Sequence, residues 1–106
     1  MAHARQEALL SVLPTSVRER SVDLTSVGSA EFAFPVDCLD LVFDTLLEND
    51  FVILGGDLWR KVEGEFKPAF DGWYVDALGD SASSAWRKFL ASVPSGPDHF
   101  ATFVVQ

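Results

Sequence analysis

PVDCLDLVFDTLLENDFVILGGD, Pro35 to Asp57, is the stretch whose reading decides the fold. From Pro35 to Asn49 the spacing predicts a helix: Val36, Leu39, Val42, Phe43, Leu46 and Leu47 recur as one apolar face. Proline suits the first helical turn, and Asp37 and Asp40 lie early, where the helix dipole favours negative charge. Asp37, Asp40, Asp44 and Glu48 fall within about 80° of one another on the other side, with Leu41 beside them. The period then changes. Phe51-Val-Ile-Leu54 reads as a buried strand, stopped or bulged by Gly55-Gly56.

Toward the C-terminus, Leu58 to Val62 and Glu65 to Phe70 flank Glu63-Gly64, the residues of a hairpin turn. Pro68 cannot donate a ladder hydrogen bond, which places the second arm at a sheet edge. Asp71-Gly72 suggests a further turn, leading to a short strand at Trp73-Tyr-Val75. Ser81 to Val93 is a second amphipathic helix, with Ala82, Ala85, Trp86, Phe89, Leu90 and Val93 on one side. Pro94 to Pro97 is a loop, and Phe100 to Val105 a last strand. Toward the N-terminus, Arg5 to Leu13 places Ala8, Leu9, Val12 and Leu13 on one helical side and ends at Pro14. Thr15 to Phe34 fits either one short strand or an irregular crossing. The whole is an α+β two-layer domain over residues 1–106, with a mostly antiparallel sheet of about four to five strands and two or three packed helices.

Charge is distributed unevenly. The chain has 16 acidic and 8 basic residues, a net charge of −8. From Ser21 to Trp59 there is no Lys, Arg or His, but there are eight carboxylates: Asp23, Glu31, Asp37, Asp40, Asp44, Glu48, Asp50 and Asp57. The excess therefore maps to one stretch. Such a surface repels nucleic acid and anionic membrane and attracts a basic partner. Nine Phe and three Trp argue for a packed core despite the charge. One cysteine, Cys38, excludes an intrachain disulfide framework and suits a reducing cytoplasm. No stretch approaches the roughly 20 apolar residues of a membrane span, and the N-terminus reads as a short amphipathic helix instead of a secretory signal.

The chemistry of catalysis is poorly represented. His3 and His99 are the sole histidines, so a Ser-His-Asp or Cys-His arrangement would have to use one of them. Cys38 sits among acids, which disfavours a thiolate. Zinc lacks the usual Cys/His pairs, and a regular helix cannot wrap calcium as an Asp-rich loop does. Gly55-Gly56-Asp57 lacks the lysine and length of a phosphate-cradling loop. Neither metal nor cofactor is expected. Four like charges at i, i+3 and i+4 repel, with no base inside the segment to offset them. That raises the reading of the acidic stripe as an interface, with a merely solvated face as the standing alternative. Leu41 beside it has the character of an apolar anchor rimmed by charge.

At Phe51-Val-Ile-Leu-Gly-Gly-Asp57, Leu58-Trp59 and Phe70-Asp-Gly-Trp-Tyr-Val-Asp76, the chain resembles the immunity protein 40 family of bacterial polymorphic toxin systems. The resemblance runs from about Pro35 to Val93 and rests on Gly55, Gly56, Asp57, Trp73 and Tyr74; Thr15 to Phe34 shows no such match. It implies a small cytoplasmic α+β antidote, encoded beside a toxin, that binds the toxin and blocks it without catalysis. The signature residues themselves read mainly as structural: glycines permit a bulge, and Asp57 can satisfy freed backbone groups. The partner expected is a cognate protein toxin with a basic surface such as a nuclease cleft, met by Asp37, Asp40, Leu41, Asp44 and Glu48. The alternative is an acidic adaptor or nucleic-acid mimic that inhibits a basic protein outside a toxin system. A small enzyme would need a pocket joining His99 to a carboxylate.

Overall fold

Strand β3 (Ile53–Val62) grows out of the helix–strand stretch marked by the sequence, and most of the sheet is assembled on it. The computed structural model describes residues 2–74, 82–92 and 98–106, with side chains placed except at 2–4, 70, 71, 74, 82–84 and 92. Before β3 come α1 (Ala2–Ser11), α2 (Thr15–Arg18), β1 (Val22–Asp23), a 3-10 turn at Thr25–Val27, β2 (Phe32–Pro35), a second 3-10 turn at Val36–Cys38, and α3 (Leu39–Glu48). After it come β4 (Glu65–Tyr74), α4 (Ala82–Ser92), β5 (His99–Thr102) and β6 (Val104–Val105). The strand order is β1-β2-β5-β3-β4, β6 also pairs with β3, and every pairing is antiparallel. The architecture is α+β, as the sequence predicts. Two of its six strands are only two residues long.

The central helix begins later than expected. Pro35, with φ −57° and ψ 148°, is still extended and closes β2, so the chain tightens through Val36–Cys38 before the α-helix opens at Leu39. Proline's fixed φ suits both the end of a strand and the residue before a helical turn. Leu39, Val42, Phe43 and Leu46 are buried, as their spacing demands, whereas Leu47 is 38% exposed at the margin of the apolar face. At the C-terminus Asp50 N–H bonds Leu47 O at 3.1 Å and Phe51 N–H bonds Leu46 O at 3.0 Å. This is a Schellman closure, with Asp50 at φ 63° where glycine is usual.

The glycines after it do not stop the strand. β3 starts at Ile53 and runs through Gly55-Gly56, with register shifts on both sides, between Ile53 and Gly55 and between Asp57 and Trp59. The bulge alternative is therefore the one realised. Val52 and Leu54 are exposed, so Phe51–Leu54 is not a fully buried run. Gly56 is required by close approach: a Cβ there would overlap the Thr102 carbonyl oxygen and stand 3.0 Å from Trp73 Nε1. The expected turn at Asp71-Gly72 is absent, because β4 runs on to Tyr74 through a register shift between Pro68 and Gly72, with Gly72 paired to Asp57. The Glu63-Gly64 hairpin forms as predicted, with φ 51° and 82° as a type I′ turn requires. Pro68 lies on the edge strand β4.

The last predicted strand is divided at Phe103, whose side chain is fully buried. Gln6 serves the division. Its Nε2 donates to Phe103 O at 2.8 Å, and its Oε1 accepts from Phe32 N–H at 3.1 Å. In α1, therefore, Gln6 and Leu9 face inward with Leu13 just beyond, while Ala8, assigned inward by periodicity, is exposed. Between Thr15 and Phe34 the chain forms α2, then β1 and β2 as an antiparallel pair around a 3-10 turn. Ser81, Val93, Val75 and Pro94–Pro97, for which the sequence predicts helix ends, strand and loop, lie outside the described residues.

Strand alternation sorts side chains to two faces. Phe34, Leu58 and Ala101 enter the main core with Leu9, Leu39, Val42, Phe43 and Leu46, whereas Ala33, Trp59 and Phe100 join Leu24 in a smaller cluster. The main core centres on stacked aromatics. Phe43 and Trp86 lie 4.9 Å apart at 6°, and Trp73 and Phe103 each pack 5.4 Å from Trp86. Two substitutions test these constraints by chemical denaturation. Gly56→Ala should destabilise by about 2 kcal/mol or more, since the new methyl can be accommodated only by moving β3 off β5. Gln6→Leu should destabilise by about 1–3 kcal/mol through the orphaned Phe103 carbonyl and Phe32 amide.

Candidate partner-binding surface

The five residues assigned to a contact face all lie on α3 or the turn leading into it, but they are not equivalent. Asp37 is engaged: Arg20 Nη2 reaches its two carboxylate oxygens at 2.9 and 3.1 Å. The expectation that no base offsets the stripe is thus corrected, because Arg20 folds back from one residue outside the base-free stretch. Both partners are half-exposed or more, so solvent screens the bridge and it adds little to stability. Arg20 Nη1 also donates to Cys38 Sγ at 3.1 Å. Burial pushes the Cys38 thiol up; Arg20 opposes this and the Asp37 charge adds to it, which keeps the sulfur protonated. Cys38 is itself a buried core residue.

Asp40 is exposed yet accepts the Trp86 indole N–H at 3.3 Å, which ties it to the aromatic core. Asp44 and Glu48 are exposed and have no hydrogen bond or ion pair among the described residues. Leu41, 48% exposed, borders them on one side, and Leu47, 38% exposed, on the other. Sequence periodicity put Leu47 in the core, although about 100° per residue already sets it next to Asp40 at the stripe's margin. A shallow groove of about 330 Å³ separates this edge from α4, with Leu47, Asp44 and the α4 cation Arg87 among its walls. The position of the charges along the helix is also unfavourable. α3 has no base in its last turn, and Glu48 with Asp50 stands at the negative end of the dipole, at a cost of about 0.3–1 kcal/mol each.

The signature residues meet at a second place. Asp57 N–H donates to Thr102 Oγ1 at 3.1 Å, the fully buried Thr102 hydroxyl donates back to Asp57 O at 3.5 Å, and that hydroxyl also interacts with the Glu31 carboxylate. Ser29 Oγ donates to Glu31 Oε1 at 3.2 Å. Burial pushes the Glu31 carboxyl up, the two hydroxyl hydrogen bonds pull against this, and the Asp57 charge adds to the rise. Asp57 thus uses its backbone, not its carboxylate, to hold the strand; the side chain remains exposed. Around it, Leu54, Gly55, Gly56, Gly72, Trp73 and Val104 form a notch of about 430 Å³. Trp73 is buried against Phe43, Trp86 and Phe89, its ring lying over Gly56. Tyr74 closes β4 opposite Gly55.

His99 offers no catalytic dyad on its Nδ1 side: that atom is buried without a hydrogen-bond partner among the described residues, and the residue pairs with Arg60 across β5 and β3. Thr102 and Glu31 carry no sequence signal as a site; one reads as a strand residue and the other lies in the irregular stretch.

The immunity protein 40 family model matches residues 23–90 of the 106. The chain belongs to that family. The match begins at Asp23, the last residue of β1 and well before Pro35, and so takes in Glu31 and β2 as well as the signature residues. No curated protein and no solved structure matches the chain. Among the described residues no helix is long and apolar enough to cross a membrane.

Glu31 gives the surface a measurable pH dependence. Its folded-state pKa is raised above the ordinary glutamate value of 4.5, so only between that value and the raised one does the folded state hold a proton that the unfolded chain has released. Stability from this group is present below that value and is lost as pH rises through the raised one. Glu31→Gln should therefore melt higher than wild type at pH 7, and the difference should shrink as pH falls through the raised value and be gone below about 4.5. Paired thermal melts at pH 4 and pH 7 check this.

Proposed function

We propose that this protein neutralises a cognate bacterial toxin by binding it, with the exposed face of α3 laid against a basic toxin surface such as the substrate cleft of a nuclease. The family supplies the class, an immunity protein, and with it the kind of partner, a protein toxin. One observation on α3 carries the surface. Asp44 and Glu48 are exposed and unpaired, Glu48 opposes the helix dipole, and Leu41 and Leu47 stand exposed on either side. Folding alone gains nothing from that arrangement; local rules broken on a surface point to a use for it. Asp37 and Asp40 extend the face toward its N-terminal end, where Arg20 and Trp86 fix their positions. The leucines supply desolvated anchors, and the carboxylates accelerate encounter with a cationic partner. Inhibition needs no chemistry from the immunity protein, only occupation of the toxin's working surface, in the cytoplasm where the toxin would otherwise act.

Co-expression with the product of the adjacent toxin gene tests the class by rescue of growth and co-purification. The surface is tested by Asp44→Asn with Glu48→Gln. Association with the toxin should slow several-fold at low salt and lose most of its salt dependence, while dissociation changes less. The same variant should be more stable by a few tenths to about 1 kcal/mol, as charge opposing the dipole is removed. An association rate that ignores both substitutions and salt would sink the α3 reading.

A further inference from the structure

The notch beside Asp57 differs in character from the α3 face. Leu54, 42% exposed, and Val104 supply apolar walls, the glycines supply bare backbone, and the one charge at the rim among the described residues is the Asp57 carboxylate. The missing side chain of Gly72 keeps the notch open: a Cβ there would come within 2.8 Å of Gly56 O and 2.9 Å of Asp57 Oδ1. Asp57 has no ion pair among the described residues, and Glu31 stands behind it across the Thr102 hydroxyl, so two carboxylates share this corner without a base. Trp73, more than nine-tenths buried, lines the same notch, and its indole N–H has no partner among the described residues.

We infer that the notch seats one lysine or arginine side chain of the protein partner, its aliphatic stem against Leu54 and Val104 and its cationic head on Asp57. This rests on the reading of the partner as a basic protein and adds a specific socket to it. The chemistry matches such a residue in each part. Apolar walls suit the methylene stem that long cationic side chains bury. A carboxylate backed by a second one favours a positive head over a neutral one. The volume of about 430 Å³ holds an arginine side chain with room for water. The carbonyl oxygen of the incoming residue is an acceptor of the kind that the Trp73 indole lacks. Val52, 52% exposed beside the notch, extends the apolar rim over which a partner loop would pass.

The test uses the intact protein and two probes. In an NMR titration, N-acetyl-arginine methylamide should shift the Asp57 and Gly72 amides and the Trp73 indole N–H saturably. Its neutral isostere, N-acetyl-citrulline methylamide, should not, and Asp57→Asn should abolish the response. Equal shifts with both compounds, or none with either, overturn the proposal. With the adjacent toxin, Asp57→Asn should weaken binding at least about tenfold and Asp57→Lys should abolish it. Glu19→Gln, an exposed acid removed elsewhere, should stay within about twofold of wild type. Wild type that binds the toxin while Asp57→Asn binds equally well refutes the socket alone. Wild type that neither rescues growth nor co-purifies refutes the toxin-binding reading, and the arginine titration still decides whether the notch is a cation site.

Discussion

The sheet is held in its present form by an absence at Gly56. β3 lies between β4 on one side and β5 followed by β6 on the other, so it alone connects the hairpin to the strands that end the described chain. At Gly56 the β5 backbone comes so near that a single methyl would collide with the Thr102 carbonyl. That approach allows the chain to break at Phe103 and drive a ring into the core, where it meets Phe34, Phe43, Trp73 and Trp86. Gln6 then compensates the broken ladder from α1. Helix, sheet and aromatic centre are thus fixed around one residue that has no side chain. A substitution there would be felt at α1 and α4, far along the sequence.

The same geometry explains why Asp57 is available. The strand needs its amide, which Thr102 accepts, and needs Gly72 opposite; it does not need its carboxylate. In many turns an Asp side chain bonds nearby backbone, which was the reading that its place after two glycines suggested. Thr102 has taken that duty instead, from a strand 45 residues away. The carboxylate is left outside with Glu31 behind it, a pair of like charges at a sheet position where folding by itself favours neither.

What could be read from the sequence follows the range of the interactions. α3, α4, the Glu63-Gly64 hairpin and the edge position of Pro68 depend on local periodicity and turn chemistry, and these are legible in the residues themselves. Gly55-Gly56 was legible as a bulge, but whether the strand continues past it depends on Thr102, which no local pattern reveals. Asp71-Gly72 carries the residues of a turn and is strand because Asp57 lies opposite. Gln6 looked like a surface residue of an amphipathic helix; its burial follows from the gap at Phe103. On the surface, the concentration of acids between Ser21 and Trp59 was plain. Which of them are already used was not, because Arg20 and Trp86 reach them from other elements.

Subtracting those contacts changes the meaning of the charge. Asp37 and Asp40 are held, and Glu31 is half-buried behind Thr102. Exposed residues then follow one another along the chain where α3 turns into β3: Leu47, Glu48, Asp50, Val52, Leu54 and Asp57. Three carboxylates and three aliphatic side chains are interspersed through this run, with Asp50 in a left-handed conformation that glycine would adopt more easily. A helix end optimised for stability would place glycine at Asp50 and a base near Glu48. This one carries acids at both positions and leaves Leu47 and Val52 uncovered on either side of them.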